Sequence, residues 1–164
     1  ELDEIECIQS FIDWRKDTPG EVIAFEVAVF SEKYGYAGTV DFIYKTEDGT
    51  YWLIDFKTGQ SIWTEGELQI SAYRECIING ENGFQKFPPA ADLKLAILQL
   101  GYKMNKKKWK FTEIEPQFDL FLAAQRIWKK EVGEQQPKQR DYNIILSPAK
   151  EEKKEEVKKV TETK

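Results

Sequence analysis

Two segments rich in β-branched and aromatic residues flank an Asp-Gly pair near the middle of the sequence. Residues 36–44 read YAGTVDFIY, residues 51–57 read YWLIDFK, and Glu47-Asp48-Gly49 lies between them. Branched and aromatic residues are typical of strands, and Asp-Gly readily supplies the positive φ angles of a tight turn. The sequence therefore predicts a β-hairpin here, and the fold of the chain must include a sheet.

Helix and strand patterns alternate on both sides of this hairpin. Residues 2–16 predict a helix that ends at Pro19-Gly20 and whose apolar positions are Leu2, Ile5, Ile8, Phe11 and Ile12. Residues 21–30, 93–100 and about 109–114 predict strands. A capping box at residues 64–67 and Pro116 begin two further helices, the second of which runs to about Val132 before Gly133. The order αβββαββα predicts an α/β (α+β) domain with a mixed central β-sheet flanked by helices.

The C-terminal stretch differs in composition from the rest of the chain. Residues 149–164 contain six lysines and five glutamates and no aromatic residue. We expect a solvated tail there and a single domain over residues 1–148. That domain carries 18 basic and 24 acidic residues, a net charge of −6. Because the first residue is Glu1 rather than methionine, we also expect the domain to lack its N-terminal part.

The chain contains no histidine. This excludes Ser-His-Asp and Cys-His catalysis and His-ligated metal sites, so carboxylates, lysines and a hard metal must carry any catalysis by this chain. Two cysteines cannot form a four-thiolate zinc or iron–sulfur site by themselves, and a disulfide is not needed in a domain of this size. No apolar run approaches a membrane span, and no signal peptide is evident. We therefore expect a cytoplasmic protein.

Acidic residues occupy strand positions at which core residues are expected. By alternation Asp55 and Lys57 share one strand face, Asp41 lies in the preceding hairpin strand, and Glu26 lies in an apolar run. If these strands are neighbours, three carboxylates and one ammonium converge. The acids can form buried ion pairs with Lys57, which contribute little net stability. Alternatively, the excess negative charge favours a hard divalent cation such as magnesium or manganese.

Four motifs follow one another at this point of the sequence: Glu26, Gly38-Thr39-Val40-Asp41, Asp55-Phe56-Lys57-Thr58-Gly59 and Gln69-Ile70-Ser71-Ala72-Tyr73. This order resembles the PD-(D/E)XK nuclease superfamily, and most closely its RecB-type exonuclease branch, which includes phage exonucleases. In that branch G-x-x-D, D-x-K and Q-x-x-x-Y occur in succession. A lone D-x-K arises by chance, whereas four motifs in order form a specific signal. The resemblance covers about residues 20–80 strongly and most of the remaining domain weakly.

The resemblance implies a metal site. Asp41 and Asp55 match metal ligands, with the backbone carbonyl of Phe56 as a further ligand. Glu26 matches an acidic residue that binds the metal directly or through water. The implied cofactor is one or two Mg²⁺ or Mn²⁺ ions, and the implied reaction is hydrolysis of DNA phosphodiester bonds.

The resemblance also implies supporting residues, with two departures from the family pattern. Lys57 matches the residue that orients or deprotonates the attacking water and stabilises charge on the phosphate. Gln69 and Tyr73 share one helix face beside the site, and simple helix packing explains them equally well. RecB-type members commonly have a histidine upstream of the first acid, which this sequence lacks. Relatives with an iron–sulfur cluster use four cysteines, so we expect no cluster here.

A lysine-rich segment, YKMNKKKWK, provides a candidate nucleic-acid contact formed by Lys103, Lys106, Lys107, Lys108 and Trp109. Lysines that contact phosphates and an aromatic side chain that stacks on an unpaired base are typical of DNA binding. A solvated hairpin turn is the alternative. Other tryptophans, including Trp63 just after the D-x-K strand, are interpreted as core or rim residues.

Three hypotheses follow from these patterns. The first is a metal-dependent nuclease, an exonuclease acting on DNA ends or single strands, whose source by resemblance is a phage or mobile element. The alternative is a catalytically silent nuclease-like module that binds nucleic acid or a protein partner. The third is a structural domain whose acids form ion pairs. The sequence leaves open DNA versus RNA, the polarity of cleavage and the oligomeric state.

Overall fold

The computed structural model describes residues 2–79 and 93–132. Their elements confirm the predicted order: α1 (Leu2–Asp17), β1 (Gly20–Ser31), β2 (Tyr36–Thr46), β3 (Tyr51–Lys57), α2 (Thr64–Ile78), β4 (Leu93–Leu100), β5 (Trp109–Ile114) and α3 (Phe118–Val132). The predicted helix end at Gly133 and the predicted tail at 149–164 lie outside the described residues. No helix in the described ranges is long and apolar enough to cross a membrane.

The strands form one mixed sheet in the order β1-β2-β3-β4-β5. Neighbouring strands are antiparallel except for β3 and β4, which are parallel and are separated in the sequence by α2. The turn between β2 and β3 forms at the predicted Asp-Gly pair, where Gly49 has a φ of 87° and donates its N–H to the carbonyl of Thr46. The predicted mixed α+β sheet is therefore confirmed.

Helices cover both faces of this sheet. On one face, α2 packs against a core that includes Val40, Ile43, Leu53, Ile70 and Ile97. On the other face, α1 packs against a core that includes Trp14, Phe42, Tyr44, Ile54 and Leu98. Strands β3 and β4 are thus buried on both faces, which explains their nearly continuous apolar sequences. Cys7 and Cys76 lie on opposite faces of the sheet and do not form a disulfide.

Helix α1 buries a face that agrees only in part with the predicted apolar positions. Ile5 and Ile8 are exposed, whereas Ser10 and Trp14 are buried. The indole of Trp14 stacks on the ring of Phe111 with 6.1 Å between centroids. Helical spacing alone fits both stripes, and the stripe with the aromatic side chains faces the sheet because it buries more apolar area. Of the predicted apolar positions, Phe11 therefore packs against the core, whereas Ile5, Ile8 and Ile12 are exposed. The predicted bounds of the helix were nearly right.

The capping box predicted at residues 64–67 does not form. Helix α2 begins at Thr64, so its N-cap residue is Trp63, which has a φ of −104° and a ψ of 150°. The Trp63 side chain makes no cap hydrogen bond, and Thr64 lies one residue too far into the helix to be the cap. Helix α3 likewise begins at Phe118 rather than at Pro116.

Trp14→Ala is expected to lower the free energy of unfolding by about 3–5 kcal/mol, since truncation leaves a cavity among aromatic side chains. Trp14 is only 1% exposed. Ile8→Ala on the opposite face of α1 is the matched control, and its effect should stay within about 0.5 kcal/mol. Urea denaturation followed by circular dichroism measures both. Equal losses for the two variants would contradict the observed orientation of α1.

Candidate active site

Two carboxylates lie just beyond the ladder that joins β2 and β3. The last paired residues are Phe42 and Ile54, so the next residue of each strand is Asp41 or Asp55. Beyond this pair the side chain of Asp41 replaces a backbone partner, because its Oδ2 accepts a hydrogen bond of 2.8 Å from the N–H of Phe56. The hydrogen bond holds Asp41 against β3, next to Asp55.

Lys57 is the charged partner of Asp55. Its Nζ lies 2.7 Å from Oδ2 of Asp55, and the two residues are one pleat apart on the same face of β3. The lysine side chain is 37% exposed and the aspartate side chain is 7% exposed, so a buried anion meets a cation that reaches solvent. The structure therefore brings Asp41, Asp55 and Lys57 together.

Asp55 is a buried carboxylate between a second carboxylate, Asp41, and the ammonium group of Lys57. Burial raises its pKa above the ordinary value and the charge of Asp41 raises it further, while Lys57 opposes both. The ammonium group of Lys57, 2.7 Å from Oδ2, is the charged partner of this oxygen and lowers the pKa of the carboxyl. Two neighbouring carboxylates with one lysine between them leave a net negative charge, which suits a hard divalent cation. The donor set therefore fits magnesium or manganese.

Glu26 occupies the same row of the sheet but does not join this cluster. It lies between two β1–β2 pairs that bracket Asp41. Its φ of 51° is in the left-handed region, and the residue is exposed. A left-handed residue interrupts the alternation of side chains along a strand. Within residues 2–79 and 93–132, no three His, Cys, Asp or Glu side chains gather into a metal site, so two of the three expected carboxylates converge.

Gly38 connects the G-x-x-D motif to α2. A Cβ at this position would overlap the ring of Tyr73, so the strand and the helix approach this closely only because residue 38 is glycine. The hydroxyl of Tyr73 accepts a hydrogen bond of 2.8 Å from Nε2 of Gln69. Tyr73 thus packs on the strand that carries Asp41, and Gln69 lines the cleft that contains Lys57.

Gly38→Ala is expected to lower the free energy of unfolding by about 1–3 kcal/mol, because the added methyl group displaces the ring of Tyr73. Removal of that ring by Tyr73→Ala should relieve the overlap. The double variant should therefore lose less stability than the sum of the single variants, with a coupling of about 0.5–3 kcal/mol. Chemical denaturation of all four proteins measures this coupling. Additive losses would show that residue 38 and the ring do not touch.

A cleft of about 550 Å³ opens beside Lys57. It is lined by the end of β3, by the loop that follows and by the first turns of α2, with side chains that include Lys57, Ser61, Trp63, Glu65 and Gln69. Ser61 and Glu65 belong to none of the four motifs, and the sequence analysis did not identify them. Trp63, interpreted from the sequence as a core or rim residue, is 72% exposed.

Two glutamines that the sequence analysis also missed hold the loop after β3. Gln99 is 1% exposed and donates its Nε2 to the carbonyl of Gly59 at 2.9 Å. Gln60 donates to the carbonyl of Gly101 and accepts from the N–H of Lys103. The sequence signal for Gln99 was its position as an uncharged polar residue in the otherwise apolar end of β4.

The lysine-rich hairpin lies against α1. Three of its lysines form ion pairs with acids of that helix: Lys103 with Asp3 at 3.9 Å, Lys107 with Asp17 at 3.0 Å and Lys108 with Glu6 at 3.1 Å. Lys106 is exposed beside them, and Trp109 packs against the α1 side of the core. Ion pairs at a protein surface contribute about 1 kcal/mol or less, so these pairs hold the lysines only weakly.

Comparison with protein families gives a match over most of the chain. The PD-(D/E)XK nuclease superfamily matches residues 4–163. A search of curated proteins gives no match. The matched range contains all four motifs and nearly all of the described helices and strands.

Proposed function

This chain belongs to the PD-(D/E)XK nuclease superfamily, and we propose on that premise that it is a metal-dependent nuclease that hydrolyses DNA phosphodiester bonds. The observation that carries the proposal is that the buried carboxylate of Asp55 lies next to both Asp41 and Lys57. Two acids against one lysine leave a negative charge that a divalent cation neutralises. The motif order, which resembles that of RecB-type exonucleases, supports the narrower assignment to an exonuclease acting on ends or single strands.

In this proposal Asp41 and Asp55 hold the cation, with the carbonyl oxygen of Phe56 as a third ligand. One or two magnesium or manganese ions supply Lewis acidity at the scissile phosphate. The hydrogen bond from the Phe56 N–H preorganises Asp41, and the ion pair with Lys57 holds the buried carboxylate of Asp55 beside it. Glu26, across the sheet from Asp41, takes part directly or through water if its exposed side chain turns toward the site.

Lys57 supplies the fixed positive charge of the proposed site. Its ammonium group is held by Asp55 and also reaches the cleft, so it can lie against a phosphate and orient the attacking water. A preorganised charge of this kind stabilises the negative charge that develops on the phosphate during hydrolysis. Gln69, oriented by its hydrogen bond to Tyr73, lines the same cleft and is proposed to position the substrate.

The proposed DNA contacts extend from the cleft to the lysine-rich hairpin, with Lys103, Lys106, Lys107, Lys108 and Trp109. The hairpin follows β4, whose C-terminal end runs parallel to the end of β3 that carries Lys57. Because β3 and β4 end on the same side of the sheet, a single DNA strand can contact both the cleft and the hairpin. Binding through these few lysines should weaken as the salt concentration rises, with a modest slope because few phosphates are contacted.

Cleavage of end-labelled oligonucleotides tests the proposed function. Single-stranded DNA, blunt duplex DNA and RNA of one sequence are incubated with the protein in magnesium, manganese or EDTA. We expect DNA products that require metal and shorten stepwise from an end. Internal cuts would indicate an endonuclease. Cleavage of RNA alone would show that the substrate is RNA rather than DNA. Absence of cleavage despite manganese binding would indicate the silent binding module.

A further inference from the structure

The cleft beside Lys57 carries an exposed aromatic residue that the proposed catalytic set does not use. Trp63 is 72% exposed, although it lines the same cleft as Lys57 and Gln69. Burial of a side chain as large as an indole is strongly favourable, and here most of that gain is absent. Packing therefore does not explain a tryptophan at this position.

Helix capping does not explain Trp63 either. It is the N-cap residue of α2, where the side chains of Ser, Thr, Asp and Asn accept hydrogen bonds from the N–H groups of the first turn. The indole accepts no such bond. Trp63 thus neither caps the helix through its side chain nor joins the core, and it lines the cleft that contains Lys57.

We propose that Trp63 stacks on an unpaired base of DNA next to the phosphate held at Lys57, so that the substrate is a single strand or a frayed end. This inference rests on the proposed function and specifies its substrate. A base inside a duplex is covered on both faces by its neighbours, whereas an unpaired base presents a face to an aromatic ring. Such stacking is independent of sequence and strengthens single-strand binding.

The composition of the cleft favours a base beside Trp63 and a phosphate beside Lys57. Lys57 provides the positive charge that a phosphate requires, while Glu65, two residues after Trp63, repels a second phosphate. The volume of about 550 Å³ is within the range of sites that enclose a small organic group. A nucleotide can place its base on the indole of Trp63 and its phosphate near the ammonium group of Lys57.

Trp63→Ser separates stacking from stability. Serine is a preferred N-cap, so the Tm of this variant should equal or exceed that of the wild type. Its binding to a fluorescently labelled single strand, measured by anisotropy in EDTA to prevent turnover, should weaken about tenfold. Trp128→Ser is the matched control, because Trp128 is 57% exposed on α3 and lies in no part of the proposed site. Trp63→Phe should retain most of the affinity.

Abasic substitution identifies the stacked base. Oligonucleotides that lack one base at successive positions are compared on wild type and Trp63→Ser. We expect one position at which the missing base weakens binding to the wild type but has no further effect on the variant. Equal binding by wild type and Trp63→Ser, additive losses at every position, or no single-strand binding by the wild type would overturn the inference. Stacking without metal-dependent cleavage would overturn only the proposed function.

Discussion

Asp55→Asn is expected to reduce metal-dependent cleavage by about a thousandfold or more while the protein stays folded. Asparagine keeps the size of the side chain but removes the charge that attracts a divalent cation. The carboxylate that is removed is buried next to Asp41 and lies 2.7 Å from the ammonium group of Lys57. Asp119→Asn, at an exposed position in the first turn of α3, is the matched control and should cleave DNA at the wild-type rate.

The same substitution should preserve or raise stability in EDTA. Because burial raises the pKa of Asp55, its protonated form stabilises the fold at low pH, and this contribution is lost as the pH rises through the folded-state pKa. Asparagine has no proton to lose and stays uncharged, so the Tm of the variant relative to the wild type should increase over that pH range. Unfolding of the variant at neutral pH would favour a structural ion pair instead.

Lys57→Ala is expected to reduce turnover by about a hundredfold or more while manganese binding persists. The substitution removes the cation beside the proposed phosphate position but leaves both carboxylates. It also removes the partner that lowers the pKa of Asp55, so metal binding should weaken at acid pH, where protons compete for the carboxylate. Single-turnover cleavage and manganese titration separate the two effects.

Lys94→Ala is the control for this prediction. Lys94 also pairs with an acid, Glu113 at 2.8 Å, but it lies at the opposite end of the parallel β3–β4 pair from Lys57. Its removal should leave both turnover and metal binding unchanged. A Lys57→Ala protein with wild-type turnover would show that the lysine only compensates the buried charge of Asp55.

The sequence predicted those parts of the fold that depend on local pattern. Branched and aromatic runs, together with the Asp-Gly turn, were sufficient to predict the succession of strands along the chain and the position of the hairpin. The alternation of side chains along a strand was sufficient to predict that Asp55 and Lys57 lie on the same face of β3. The proximity of Asp41 was predictable only on the condition that the two strands pair, which the Asp-Gly turn favoured.

Other features depend on contacts that no local pattern encodes. Two stripes of α1 have helical spacing, and only the shape of the sheet selects Trp14 over Ile8 for burial. The left-handed backbone at Glu26 interrupts the alternation on which its predicted convergence relied. The N-cap position of α2 depends on where the chain leaves β3, so the local motif at residues 64–67 gave the wrong cap.

Manganese binding by wild type and Asp55→Asn tests the central claim most directly, because it needs neither a substrate nor an assumption about strandedness. Electron paramagnetic resonance of free manganese during titration gives the number of bound ions and their affinity. We predict one or two saturable sites in the wild type and the loss of at least one in Asp55→Asn. Identical titrations for the two proteins, or no binding by the wild type, would contradict a metal site at Asp41 and Asp55.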